Sequence, residues 1–260
     1  MIKLSTFCIR ATLSALVFAI ATPAMAQDGP PGNVAEMWTV YVDFANQPAF
    51  EEAVKGYMAL AKEMNAPQHW EAYKKNTGDD FDAYYFRTCC FSWADRDAID
   101  AWHEANPALQ ENWNANAHPH VSGYEHDFET IDFENSHWPE DMAEPKFVGV
   151  TTHKLKSGSG QQFNAVKDEL SQIAKNHGWS EQGHEWAWVE SVNGKYSVSL
   201  AIPHMDYADM ADPDPSFFEF LSGHLGSDEA AAAKFEAFSS AIEGSYYEIY
   251  THYPDLSTPD

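Results

Sequence analysis

The chain has 260 residues, is 44% hydrophobic, and carries 40 acidic against 15 basic side chains, a formal net charge of −25. So acidic a balance excludes attachment to nucleic acid or to anionic lipid by general charge, since both would be repelled. The length suffices for one large or two ordinary domains with a buried core, and no stretch beyond residue 26 is long and apolar enough to span a bilayer.

Residues 1–26 read as an export signal: Lys3 and Arg10 form a basic start, Ala11 to Ile20 is apolar, and Ala24-Met25-Ala26 is an A-x-A cleavage site. Cleavage there begins the mature chain at Gln27 and removes two bases, taking the charge from −25 to −27 (−25 − 2). A periplasmic or secreted location is expected, with no membrane attachment after cleavage. Cys8 leaves with the signal. Cys89 and Cys90 remain, and because neighbours on a strand point to opposite faces, two buried, unreactive thiols are expected in preference to a vicinal bridge.

Residues 27–35, with Gly29, Pro30, Pro31 and Gly32, read as a flexible leader. A strand follows from Met37 to Phe44, in which Trp38, Val40, Val42 and Phe44 alternate with Met37, Thr39, Tyr41 and Asp43. The helix beginning near Pro48 presents Phe50, Ala53, Val54, Tyr57, Leu60, Ala61 and Met64 on one face. Strands are expected near Gln68 to Tyr73 and from Asp82 to Trp93, then a helix capped by Asp95, a second helix starting at Asn106-Pro107, and a closing strand from Gly123 to Phe133. Residues 135–145 form a linker.

The order then repeats. A strand from Lys146 to Leu155 precedes a helix whose Phe163, Val166, Leu170, Ile173, Ala174 and His177 have the phase of the earlier stripe, Phe163 and Ala174 each lying 113 residues after Phe50 and Ala61 (174 − 61). Strands from Glu185 to Ser191 and Tyr196 to Ile202 flank Asn193-Gly194, a strong hairpin signal. A short helix spans Pro215 to Leu225, a longer one runs from Asp228 to Glu243 between a Ser227 cap and a Gly244 stop, and Tyr246 to Tyr253 is the last strand.

Two β-α-β-β-α-β units, residues 36–134 and 146–254, with a tail at 255–260, predict an α+β fold of two tandem ferredoxin-like sheets packed sheet to sheet as a single-chain α/β barrel, each shielding the other's apolar face. In this pattern the chain resembles the dimeric α/β-barrel superfamily in a tandem, single-chain form. The resemblance implies a range of activities: cofactor-independent monooxygenases, haem enzymes, small-molecule binders and stress proteins. It assigns no residue roles.

From the residues themselves, Arg87 in mid-strand can hold an anion by its fork of donors or form an ion pair, and His153 can act as acid or base or simply be hydrogen-bonded. These two are the catalytic candidates. Tyr41, Tyr85, His184, Trp186 and Trp188 are the candidate ligand-binding residues, with core packing the competing role for the tryptophans. No H-E-x-x-H, C-x-x-C-H or calcium-loop spacing occurs, so no metal site and no cofactor are expected, although His103 and His224 sit where a haem ligand would. The leading expectation is an exported binder of a small apolar or aromatic molecule, acting as a monomer or homodimer and oxidising the ligand without a cofactor. A non-catalytic structural or stress protein and a haem enzyme are the alternatives.

Overall fold

The computed structural model describes residues 32–139, 142–193 and 196–259. The expected export signal, most of the expected leader and Gly194 of the expected hairpin turn lie outside the described residues. The elements are β1 (Val34–Tyr41), α1 (Gln47–Glu63), β2 (Glu71–Lys75), β3 (Ala83–Phe91), α2 (Trp93–Ala105), α3 (Pro107–Asn116) and β4 (Gly123–Ile131). They continue as β5 (Phe147–Leu155), α4 (Gly160–Asn176), β6 (Ala187–Ser191), β7 (Ser197–His204), α5 (Phe217–Leu225), α6 (Asp228–Ser240) and β8 (Ile242–His252). No described helix is long and apolar enough to cross a membrane.

The strands close into one antiparallel barrel in the order β1-β3-β2-β8-β5-β7-β6-β4. The α+β class and the single-chain barrel are as expected; what the expectation of two packed sheets did not include is that they share edges. Within the ring the first four strands run β4-β1-β3-β2 and the last four β8-β5-β7-β6, and the two sets join edge to edge at β2–β8 and β4–β6. Stacking would have left four edge strands with unpaired N–H and C=O groups; closure leaves none.

Alternation along each strand sends one set of side chains into the barrel and the other outward under the helices. Outward residues of the first four strands, including Val40, Tyr84 and Phe86, pack with Phe50, Val54 and Met58 of α1. Outward residues of the last four, including Trp188 and Val198, and Trp186 just before β6, pack with Phe163 of α4 and Phe238 of α6. The matching helical stripes at Phe50 and Phe163 are thus the two inner faces of the helix layer.

Three local expectations change. Ser92, not Asp95, is the N-cap of α2; Asp95 completes a capping box by accepting from the Ser92 backbone while Ser92 Oγ accepts from the Asp95 N–H. The helix α6 ends at Ser240 and Ile242 already belongs to β8, so Gly244 lies within the strand and stops nothing. Cys89 and Cys90 are both exposed and joined to each other by a disulfide across a cis peptide bond. The pairing of β1 with β3 passes from Ala35↔Cys89 to Val34↔Phe91, leaving Cys90 as an extra, bulged residue. A bulge breaks the strict up-and-down alternation on which the two-thiol expectation rested.

A candidate functional site beneath the first three helices

On β1 the outward series is Val34, Glu36, Trp38 and Val40, which places one carboxylate on an otherwise apolar strip beneath α1, α2 and α3. Glu36 is 2% exposed. Its Oε1 accepts from Trp38 Nε1 at 3.1 Å and from His126 Nε2 at 2.9 Å. Its Oε2 accepts from Gln68 Nε2 at 2.8 Å and from Arg96 Nη1 at 2.9 Å. Four donors fill the four lone-pair positions of a carboxylate, so Glu36 has no capacity left and serves as the anchor of the network.

The anchor fixes its neighbours. Because Gln68 must turn its NH2 toward Glu36, its Oε1 faces His103, whose Nε2 lies 2.7 Å away and must be the donating N–H. Arg96 Nη2 also meets Asp100 at 2.7 Å, and the His126 ring stacks on Trp38 with centroids 4.1 Å apart. Burial, and secondarily the charge of Arg96, hold the His103 imidazole below its ordinary value of 6.5, so it is neutral near pH 7.

This network forms one end of a cavity of about 560 Å³ whose other walls include Tyr57, Trp70, Phe86 and Trp113. Burial pushes the Tyr57 phenol up to about 12, keeping it a hydrogen-bond donor at neutral pH, and among the described residues its hydroxyl makes no hydrogen bond. Also in the lining, His118 Nδ1 and Trp113 Nε1 lie 2.9 and 3.1 Å from the hydroxyl of Tyr124, whose ring meets Trp38 edge-on at 6.2 Å. The arrangement offers flat aromatic walls for a planar ligand, with a neutral imidazole, a phenol and a guanidinium for its polar group.

The seven residues singled out from the sequence do not meet in one place. Arg87 and Tyr85 line a second cavity of about 600 Å³, to which all eight strands contribute and which is the barrel interior; Arg87 Nε there reaches Glu129 Oε2 at 3.4 Å. Tyr41 donates to Glu125 Oε1 at 3.1 Å, and burial together with that carboxylate pushes its phenol up to about 12. His153 and Trp188 belong to the core under α4 and α6, with His153 Nδ1 2.8 Å from Ser245 Oγ and Trp188 Nε1 donating to Ser171 Oγ. Trp186 Nε1 donates to the Asn135 carbonyl, and His184 stacks on Trp179.

The residues of the outer cavity were mostly visible but not connected. An acid on an alternating apolar strand was the available signal for Glu36. The alternation alone starts the strand at Met37 and leaves Glu36 out; the strand in fact begins at Val34.

Burial holds His153, like His103, below 6.5. For a histidine with a depressed folded value, the unfolded chain binds its proton first, so stability is complete above 6.5 and is lost as pH falls through that value toward the folded one. Urea unfolding at pH 7.5 and 5.5 is therefore expected to show a lower midpoint at the acidic pH, and His153→Phe is expected to narrow the difference. Equal differences in both proteins would contradict a neutral, buried His153.

An eight-stranded antiparallel α/β barrel is the fold of the dimeric α/β-barrel proteins, and comparison with solved structures agrees. A candidate monooxygenase from Lactobacillus acidophilus NCFM superposes with a TM-score of 0.53 at 6% identity, covering 85% of this chain and 94% of that one. A candidate monooxygenase from Fusobacterium nucleatum subsp. nucleatum gives 0.53 at 10% identity, covering 85% and 92%. A chlorite dismutase variant from Candidatus Nitrospira defluvii gives 0.50 at 10% identity, with the same two coverages of 85% and 92%. At such identities the likeness is one of fold alone. No family model matches the sequence, and no curated protein matches it.

Of the two histidines considered for haem, His103 Nε2 carries the proton given to Gln68, which leaves only its Nδ1 with a lone pair, and His224 is exposed on α5 with its ring against His177 at 4.1 Å.

Proposed function

We propose that this is an exported protein, built by duplication of a ferredoxin-like unit, whose outer cavity binds a small planar aromatic molecule and oxidises it with dioxygen, without a cofactor. The observation that carries this reading is the saturated, buried Glu36 carboxylate at the end of an aromatic-walled cavity: it holds Gln68, His103 and Arg96 in fixed orientations facing a space of ligand size. Preorganised polar groups that make no structural demand on Tyr57 or on the second nitrogen of His103 leave both for a ligand. Two of the fold relatives being described as monooxygenases supports the oxidative part.

The chemistry matching these groups is proton removal from an activated methylene by neutral His103, with Arg96 and Tyr57 stabilising the resulting anion. The electron-rich anion then reduces O2 directly. A methylene becomes a carbonyl, one oxygen atom entering the substrate and the other leaving as water with the two hydrogens.

The test uses a tricyclic aromatic ketone with an activated methylene. Saturable quenching of tryptophan fluorescence and oxygen uptake are expected; Trp70→Ala should abolish both, and His103→Gln should leave quenching but remove at least about 99% of the uptake, the scale of a lost general base. Arg87→Ala, which changes the barrel interior, should alter neither. Quenching without uptake in the wild type would make the protein a binder and not an oxidase; quenching indifferent to Trp70→Ala would remove the outer cavity from consideration.

A further inference from the structure

A different part of the barrel carries a second site. Where β2 meets β8, three metal-ligating side chains arrive from three separate segments: Glu71 at the start of β2, His252 at the end of β8, and Glu144 in the connection between β4 and β5. One donor atom from each lies within 4.8 Å of the others. His252 Nε2 is 2.7 Å from Glu71 Oε2, 3.3 Å from Glu144 Oε1 and 3.3 Å from Ser257 Oγ. One ring nitrogen has at most one proton to donate, yet three oxygens surround it. A protonated imidazole would also supply a single positive charge against two carboxylates.

A divalent cation in place of that proton meets both deficits, binding the bare imidazole nitrogen and two carboxylate oxygens while balancing two negative charges. We propose that Glu71, Glu144 and His252 form a binding site for one divalent transition-metal ion, with zinc as the reference ion. The imidazole is what separates this set from the acidic surface in general. Calcium and magnesium take oxygen ligands, whereas nitrogen favours zinc and its neighbours.

The surroundings are those of a ligand set held in place. The His252 side chain is 5% exposed and its ring lies against Tyr73 at 5.1 Å. Glu71 is fixed through its other oxygen, Oε1, by His69 Nε2 at 2.8 Å, which leaves Oε2 to face the proposed ion; such an outer partner sets the orientation of a ligating carboxylate. The Glu144 side chain is 61% exposed, so the ion can enter from solvent and its fourth position faces water. Zinc ligands about 2.0–2.1 Å from the ion stand about 3.3 Å apart in a tetrahedron. The His252–Glu144 pair is at that spacing already, and the His252–Glu71 pair opens by about half an ångström when the metal replaces the shared proton. The bound ion would tie the connection between the two halves to the barrel rim.

The full chain, stripped of metal with a chelator and dialysed, is titrated with Zn2+ and separately with Ca2+ by calorimetry at neutral pH. One Zn2+ per chain is expected, with no stoichiometric uptake of Ca2+. His252→Gln should abolish the zinc event. Because replacing the buried His252 puts folding at risk, Glu144→Gln at the exposed ligand decides independently and should also eliminate tight binding, while His69→Ala should weaken it about 10-fold. Failure of the wild type to take up one Zn2+, or equal uptake by the wild type and Glu144→Gln, would overturn the proposal by showing either no site or adventitious binding to other histidines.

Discussion

Glu36→Gln is expected to destabilise the protein by about 3–5 kcal/mol, the scale for breaking a buried ion pair from one side. The substitution preserves shape, so no cavity opens. What changes is polarity: an NH2 group now confronts one pair of donors among Trp38, His126, Gln68 and Arg96, all of which aim N–H groups at the two Glu36 oxygens. Two of those donors lose their acceptor, and Arg96 loses its buried counter-charge while keeping the exposed one, Asp100. Urea unfolding at neutral pH should show a lower midpoint with an unchanged slope. The same variant releases Gln68, and with it the orientation of His103, so ligand-induced quenching should weaken in proportion. A double-mutant cycle with Arg96→Met separates the pair from the rest of the network: a coupling near zero would mean that Arg96 is held by Asp100 alone.

Lys167→Met is expected to cost about 3 kcal/mol, at the low end of the same range because its partners reach solvent. Lys167 is 2% exposed, although it stands on the helix α4. Its ammonium contacts Asp132 directly and lies 3.4 Å from Asp168 and 3.6 Å from Glu190. Burial pulls the lysine down, but the hydrogen bond and charge of Asp132 outweigh it and leave the group raised. Burial likewise pushes Asp132 up, and the bonds from Lys167 and Asn135 overcome this and hold it below its ordinary 3.8. A carboxylate with a lowered folded value contributes stability above 3.8 that is lost as pH falls through the folded value; a lysine with a raised value keeps its contribution until pH climbs past 10.5. The pair therefore stabilises the whole neutral range. Removing the lysine should lower the urea midpoint at pH 7 and flatten the loss of stability below about pH 4. A variant as stable as wild type at pH 7 and equally acid-sensitive would show that solvent already screens the cluster.

Both residues show why the site was harder to read than the fold. Lys167 sits one turn beyond Phe163 on the buried stripe of α4, and nothing local explains a charge there, since Asp132 just past the end of β4 and Glu190 on β6 lie at separations of 35 and 23 residues (190 − 167). Glu36 gathers ligands from β1, β2's approach, α2 and β4, the farthest 90 residues away. Neither periodicity nor spacing contains such meetings. The histidines show the same division: His103 was noticed for its helix, but its tautomer follows only from the Gln68 amide, whose orientation follows only from Glu36.

What the chain determines locally is the succession of strands and helices, because alternation of two and a stripe of 3.6 are properties of neighbouring residues. The cap at Ser227 and the apolar faces at Phe50 and Phe163 belong to that level. Tertiary structure alone decided that the two sets of four strands share edges and enclose a cavity, that Cys90 bulges into contact with Cys89, and that Glu71, Glu144 and His252 converge. Each of these depends on backbone hydrogen bonds or charges finding partners far along the chain, and the free energy of leaving such groups unpaired is not written in any one segment.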